Sequence, residues 1–333
     1  MIRDIVILIV ITLLCACVES IEDELDGQSE SQSRTLASEA IVAVADLNFS
    51  SCLNITLGQD AFIDEVTSIQ CEGISIISIE GIEIFTSLTR LQLNNNQLTH
   101  ADLSGNTELT LIEISGNRLS SVNLINNPKL TRLDLAGNQL TSVDVSGNAK
   151  LADLDLSDNK LTRVGIDLSE SLTLEELEEL GYQPTSLDIS NNSNLNLLDL
   201  SLNLLVSADV SSITGLTELN LQSNLLTSVD VSSNTNLLTL ELGDNKLEEV
   251  DVNNNFELLK LSLWNNHLTS MDLSNNNKLN YLYLYTNKLT SIPVGLSEIN
   301  DRYAILHLAE NPFDTNAKSA LVNLKYHYSN LIF

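Results

Sequence analysis

The chain has 333 residues, with 16 lysines and arginines against 45 aspartates and glutamates, a net charge of −29. Such an acidic balance argues against a nucleic-acid ligand and against adsorption to a bare anionic membrane, and it favours solubility and basic or cationic partners. Aromatic residues make up only 4% of the chain, so its core must be built from Leu, Ile and Val.

Residues 1–17 read MIRDIVILIVITLLCAC. Arg3 precedes an apolar run from Ile5 to Leu14 that is too short to span a bilayer and suits the core of an export signal. The run closes on Leu14-Cys15-Ala16-Cys17, which resembles a bacterial lipobox. The resemblance implies lipidation at Cys17, and Val18 after it implies the outer membrane. The alternatives are an ordinary cleaved signal or an uncleaved anchor. Residues 18–35 are acidic and rich in Ser and Gln, without apolar periodicity, and are expected to form a disordered tether. Residues 36–73 are assigned to an N-terminal cap, opened by a short helix over 36–46. Cys52 and Cys71 are the only cysteines beyond Cys17, and in an exported protein such a pair is expected to form a disulfide. Two separate buried thiols are the alternative.

Residues 74–313 are repetitive. Asparagine recurs at Asn96, Asn117, Asn138 and Asn159, then at Asn203, Asn224, Asn245, Asn266 and Asn287, in steps of 21 residues within each run. A looser copy ends at Asn311. The 44-residue step from Asn159 to Asn203 reads as two steps plus two residues, which gives about ten coils and an irregular one. Each unit carries L-x-x-L-x-L-x-x-N-x-L followed by an inner half, T-S-V-D-V-S-x-N. One coil cannot bury its leucines alone, whereas stacked coils share a continuous core. The period and motif resemble the short, nested-period class of bacterial leucine-rich repeats. They imply a β-rich, horseshoe-type α/β solenoid with a parallel strand per coil on the concave face and an extended convex side. The text around Cys52 and Cys71 then resembles the N-terminal cap of exported bacterial members.

Two stretches depart from the period. Residues 171–181 (SLTLEELEELG) space Leu174, Leu177 and Leu180 as on a helix, between a Thr173–Glu176 capping box and Gly181. They read as a short helix bulging from one coil, a tolerated insertion, with a partner-binding helix as the alternative. Residues 314–333 are assigned to a C-terminal cap, with a helix started by Asp314 or Thr315. Ala317, Ala320, Leu321 and Leu324 would close the last coil, and Tyr326, Tyr328, Leu331, Ile332 and Phe333 would extend the cover.

No catalytic constellation stands out. The four histidines lack metal-ligand spacing, and no nucleophile elbow or phosphate-binding loop is present. No cofactor is expected. The outward residues of each strand form columns, one residue per coil. The middle column is acidic (Glu113, Asp134, Asp155, Asp199, Glu241), and the last coils turn aromatic with Trp264, Tyr281, Tyr283 and Tyr285. With Lys260 and His307 these four are the candidate ligand-binding residues, since exposed aromatics on a rigid face are typical binding anchors. Their mutual stacking to stiffen the C-terminal end is the competing reading. The inner half carries a second column, Asp102, Asp144, Asp188, Asp209, Asp230, Asp251 and Asp272. Like charges ~5 Å apart cost roughly 0.8 kcal/mol per pair even in water, so solvent, flanking serines or weakly bound divalent cations must tolerate them. The expected function is non-enzymatic: binding of a protein or glycan, with a basic ligand favoured by the acidic charge, through the concave face of a protein held at a bacterial cell envelope by its lipid. A structural or adhesive protein that binds cations or self-associates through its acidic ladders is the alternative.

Overall fold

The computed structural model describes residues 35–41, 44–58, 60–161, 163–164 and 186–333. The expected lipidation site Cys17, almost all of the expected 18–35 tether and the helix expected over 171–181 lie outside the described residues. Residues 35–333 form one compact unit, organised by a parallel sheet of 12 strands running from Ser68–Gln70 to Leu331–Ile332. Each three-residue strand turns its central residue into the core: Leu91, Ile112, Leu133, Leu154, Leu198, Leu219, Leu240, Leu261, Leu282 and Leu306 are all buried. The leucine or isoleucine two places further on is buried as well, because alternation sends every second side chain inward. Among the described residues the opposite side is extended with little helix, as expected, and holds short parallel pairs such as His100–Asp102 with Ser121–Asn123.

The recurrent asparagines join the coils. Asn245 Nδ2 lies 3.0 Å from the Leu221 carbonyl of the preceding coil and 3.1 Å from that of Leu242. Its Oδ1 accepts from Leu226 N at 3.0 Å. The chain turns sharply at these residues, and the position just before each takes a left-handed backbone: Asp244 at φ 58°, Asn265 at φ 49°, even Leu202 at φ 54°. The inner asparagines form a second, less complete ladder. Asn255 Nδ2 reaches the carbonyls of Val231 at 3.1 Å and Asn234 at 2.9 Å, while its buried Oδ1 has no partner.

The irregular step is a correction. Asp153–Asp155 pairs directly with Leu197–Asp199, and Asn203 Oδ1 accepts from Leu161 N, so the long sheet skips nothing between them. The 44 residues are therefore one coil with an insertion, not two coils. The inner side carries the difference, with Arg163–Val164 lying between Ser186–Leu187 and Ser207–Ala208.

Both ends are covered. The short helix expected over 36–46 is a single turn, Ala37–Ala40, and the main cap helix is Leu47–Leu57, which sequence reasoning missed. Asp46 starts it, accepting from the backbone of Asn48 and Phe49, and its other oxygen accepts from Ile77 N at 2.7 Å. Burial opposes the charge on Asp46, but these backbone donors prevail and hold its carboxyl below the usual range. The Cys52–Cys71 disulfide, with Cα atoms 6.0 Å apart, ties this helix to the end of the first strand. At the other end Asp314 caps the helix Thr315–Lys325, as expected, and Ala317 and Leu321 are buried. Tyr328 is fully buried, its hydroxyl donating to the Ile299 carbonyl at 2.9 Å. The side chains of Tyr326, Ile332 and Phe333 are exposed instead, although Ile332 pairs through its backbone with the last coil. Among the described residues no helix is long and apolar enough to cross a membrane.

Candidate functional site

Strand register places the candidate residues. Lys260 pairs with Tyr281, Ser262 with Tyr283, and Tyr283 with His307, so neighbouring coils set these side chains side by side on the outer face of the long sheet. Trp264 and Tyr285 follow one step along, with rings stacked at 5.6 Å and 6° between planes. Tyr285 stacks in turn on His307, with centroids 4.5 Å apart. All six candidates are thus brought onto one surface. Tyr281 is the most open at 44% exposure, and the other five are half-buried.

The row is packed as well as displayed. A Cβ on Gly243, in the coil before Trp264, would fall 2.2 Å from the indole Nε1, so the ring lies directly over the glycine backbone. One indole face therefore rests on Gly243 and the other on Tyr285. What the row presents outward is ring edges, with their N–H and O–H groups, rather than an open aromatic face. Burial, then the neighbouring Tyr283 and Glu310, raise the Tyr285 phenol above its ordinary value, so it stays a neutral donor near neutral pH.

The acidic column beside the row is braced unevenly. Gln92 Nε2 donates to Glu113 at 2.8 Å, Asn220 Nδ2 donates to Asp199 at 2.9 Å, and Lys260 forms an ion pair with Glu241. Asp155 is the strained member. Burial first, with the charges of Asp199 and Asp134 on either side, raises its pKa despite hydrogen bonds from Ser157. A shallow hollow of about 300 Å³ opens here, lined by Leu197, Asp199, Glu218, Asn220, Thr239, Glu241 and Lys260.

The inner aspartate column is largely satisfied by its own turns. Asp144 Oδ1 accepts from Ser146 N at 3.0 Å and Ser146 Oγ at 2.6 Å, and the pattern recurs at Asp102, Asp209 and Asp272. Hydrogen bonds from these serines hold the carboxyls of Asp102, Asp144 and Asp272 below the usual range. Among the described residues no group of three or more His, Cys, Asp or Glu side chains is placed to hold a metal ion.

Sequence reasoning missed two features. One is Gly243 as the seat of the indole. The other is a pair of exposed leucines, Leu238 and Leu259, at the strand starts beside Lys260 and Tyr281. Their signal was present, since most other coils place a polar residue at that position.

No protein-family model and no curated protein matches the chain. Solved structures do. An internalin of Listeria monocytogenes, InlF, is 20% identical over 88% of this chain and 96% of its own, with a TM-score of 0.50. A second internalin of that organism, InlC2, is 23% identical over 72% of this chain and 100% of its own, with a TM-score of 0.52. The leucine-rich repeat domain of APL1 is 23% identical over 78% of this chain and 71% of its own, with a TM-score of 0.57. With the 21-residue period and the parallel strand of each coil, these likenesses identify the fold as a leucine-rich repeat solenoid.

Proposed function

We propose that this chain is a non-enzymatic, exported binding protein that grips a protein ligand with the aromatic and acidic outer face of its long sheet. One observation carries the reading: six candidate side chains from three neighbouring coils meet on a rigid surface, away from the leucine core. Stacking within the row pre-orders its side chains, so little rotamer freedom remains to be lost on binding. The covered faces of Trp264 favour a protein over a sugar ring, because a pyranose would need an indole face to lie on. The serine-bonded aspartates favour ligand binding over cation-driven assembly, since one oxygen of each is already engaged.

The chain would be held at a bacterial cell envelope by lipid on Cys17, with residues 18–35 as the tether. Val18 supports the outer membrane as its location. The Cys52–Cys71 disulfide supports export, because such bonds persist in oxidising compartments. Mass spectrometry of the mature N-terminus tests the anchor, and partitioning into membranes that persists in a Cys17→Ser chain would refute it. For the binding face, Trp264→Ala and Tyr283→Ala should weaken a ligand captured from envelope or extracellular extracts by ~1–2 kcal/mol. Thermal stability should move far less. Unfolding of the C-terminal coils in those variants would instead assign the row to stiffening.

A further inference from the structure

The outer face does not end at its aromatic row. Where Thr89, Thr110, Thr131 and Thr217 precede their strands, two successive coils carry Leu238 and Leu259, which remain 37% and 38% exposed. They are immediate neighbours, because Leu259 N donates to the Leu238 carbonyl at 2.9 Å. Tyr281 N donates to the Leu259 carbonyl at 3.1 Å, which extends the step by one exposed aromatic ring. The core gains little from side chains left this open, and a threonine would serve the strand as well. Directly beside the step lies the hollow bounded by Asp199, Glu218 and Glu241, with Leu197 in its lining. Its single amine, on Lys260, is already paired with Glu241.

We infer that the apolar step and the acidic hollow are two halves of one docking surface, whose occupant is a protein segment carrying Arg or Lys next to aliphatic or aromatic side chains. This rests on the protein-binding reading above and specifies its partner. A basic side chain suits the hollow because its methylenes can lie on Leu197 while its head reaches the carboxylates. The neighbouring apolar side chain of the same segment covers Leu238, Leu259 and Tyr281. A second copy of this chain is a poor occupant, since each copy carries −29 and would be repelled.

Random peptides displayed on phage and selected on the full chain provide the probe. Selected peptides should combine Arg or Lys with Leu, Phe or Trp. They should bind at least tenfold more weakly to Leu259→Asp and Glu218→Lys chains, several-fold more weakly to Leu238→Thr, and unchanged to Ile55→Asp, a control on the cap. The Leu238→Thr variant carries the residue that other coils use there, so it keeps the test valid should Leu259→Asp fold poorly. The inference is overturned by peptides without basic residues, by no enrichment, or by equal binding to the Leu238 and Glu218 variants. It is also overturned by concentration-dependent dimerisation that Leu259→Asp abolishes, which would assign the step to self-association. Binding lost in Trp264→Ala but kept in the leucine variants would defeat this inference while leaving the protein-binding reading in place.

Discussion

Asparagine recurs because no other side chain fits both demands of the turn: a donor for carbonyls left open by the bend, and an acceptor for an N–H of the preceding coil. Asn245 meets both, whereas Asn255 meets only the first and carries a buried oxygen without a partner. Removing each should therefore cost different amounts. Asn245→Ala strands carbonyls and an amide together and should cost ~2–4 kcal/mol, while Asn255→Ala should cost ~1 kcal/mol less because it also removes an orphaned acceptor. Urea unfolding of the two variants in parallel checks the order. Asp155 supplies a pH test. Its folded-state pKa is raised, so the stability it contributes is present below the ordinary aspartate value near ~3.9 and is lost as pH rises through the folded value. Asp144 and its equivalents run the other way, contributing above that value and losing it in acid. Asp155→Asn should accordingly raise the melting temperature at pH ~7 and leave it unchanged near pH ~3, in melts taken across that range.

Among the elements, the Gly243–Trp264 seat can be tested cleanly, because Trp264 is the only tryptophan. Gly243→Ala should lift the indole off the backbone, shift its fluorescence to longer wavelength, and weaken ligand binding by ~1 kcal/mol or more with little loss of stability. Unchanged emission would mean the ring was never seated there. At the cap, reducing Cys52–Cys71, 19 residues apart, should cost ~3 kcal/mol, and hydrogen exchange should rise mainly in the first coils. The columns of the long sheet were readable in the sequence because leucine alternation and a 21-residue period fix which residues face out. The cap helix was not. Only Phe49 and Leu53 are buried along it, while Leu47 and Ile55 stand exposed among Ser, Asn and Thr, so its helicity comes from packing and from Asp46 rather than from pattern. Nor could spacing settle the 44-residue step, because two periods plus two residues and one coil plus an insertion have the same length. Only strand pairing separates them.

For the whole molecule, the direct pairing of Asp153–Asp155 with Leu197–Asp199 carries the long sheet across the inserted residues without a break. Replacing residues 166–185 with a Gly/Ser linker of about six residues should leave the melting temperature within a few degrees, since loop length adds little to closure entropy. A large loss measured by calorimetry would show that the insertion supports the stack. The leucines at 238 and 259 were visible in the sequence but not interpretable there, because an extra leucine in a leucine-rich chain looks like core until its exposure is known.

The amide ladder has a further consequence. Because Asn203, Asn224 and Asn245 make the same bonds to the coil before them, each 21-residue unit is an interchangeable tread on a staircase. Excising residues 218–238 would splice like onto like and bring the aromatic row nearer the disulfide-bonded cap by one rise of ~4.8 Å. Repeat number thus sets, in discrete increments, how far the aromatic row stands from the cap, independently of the residues that make up the row.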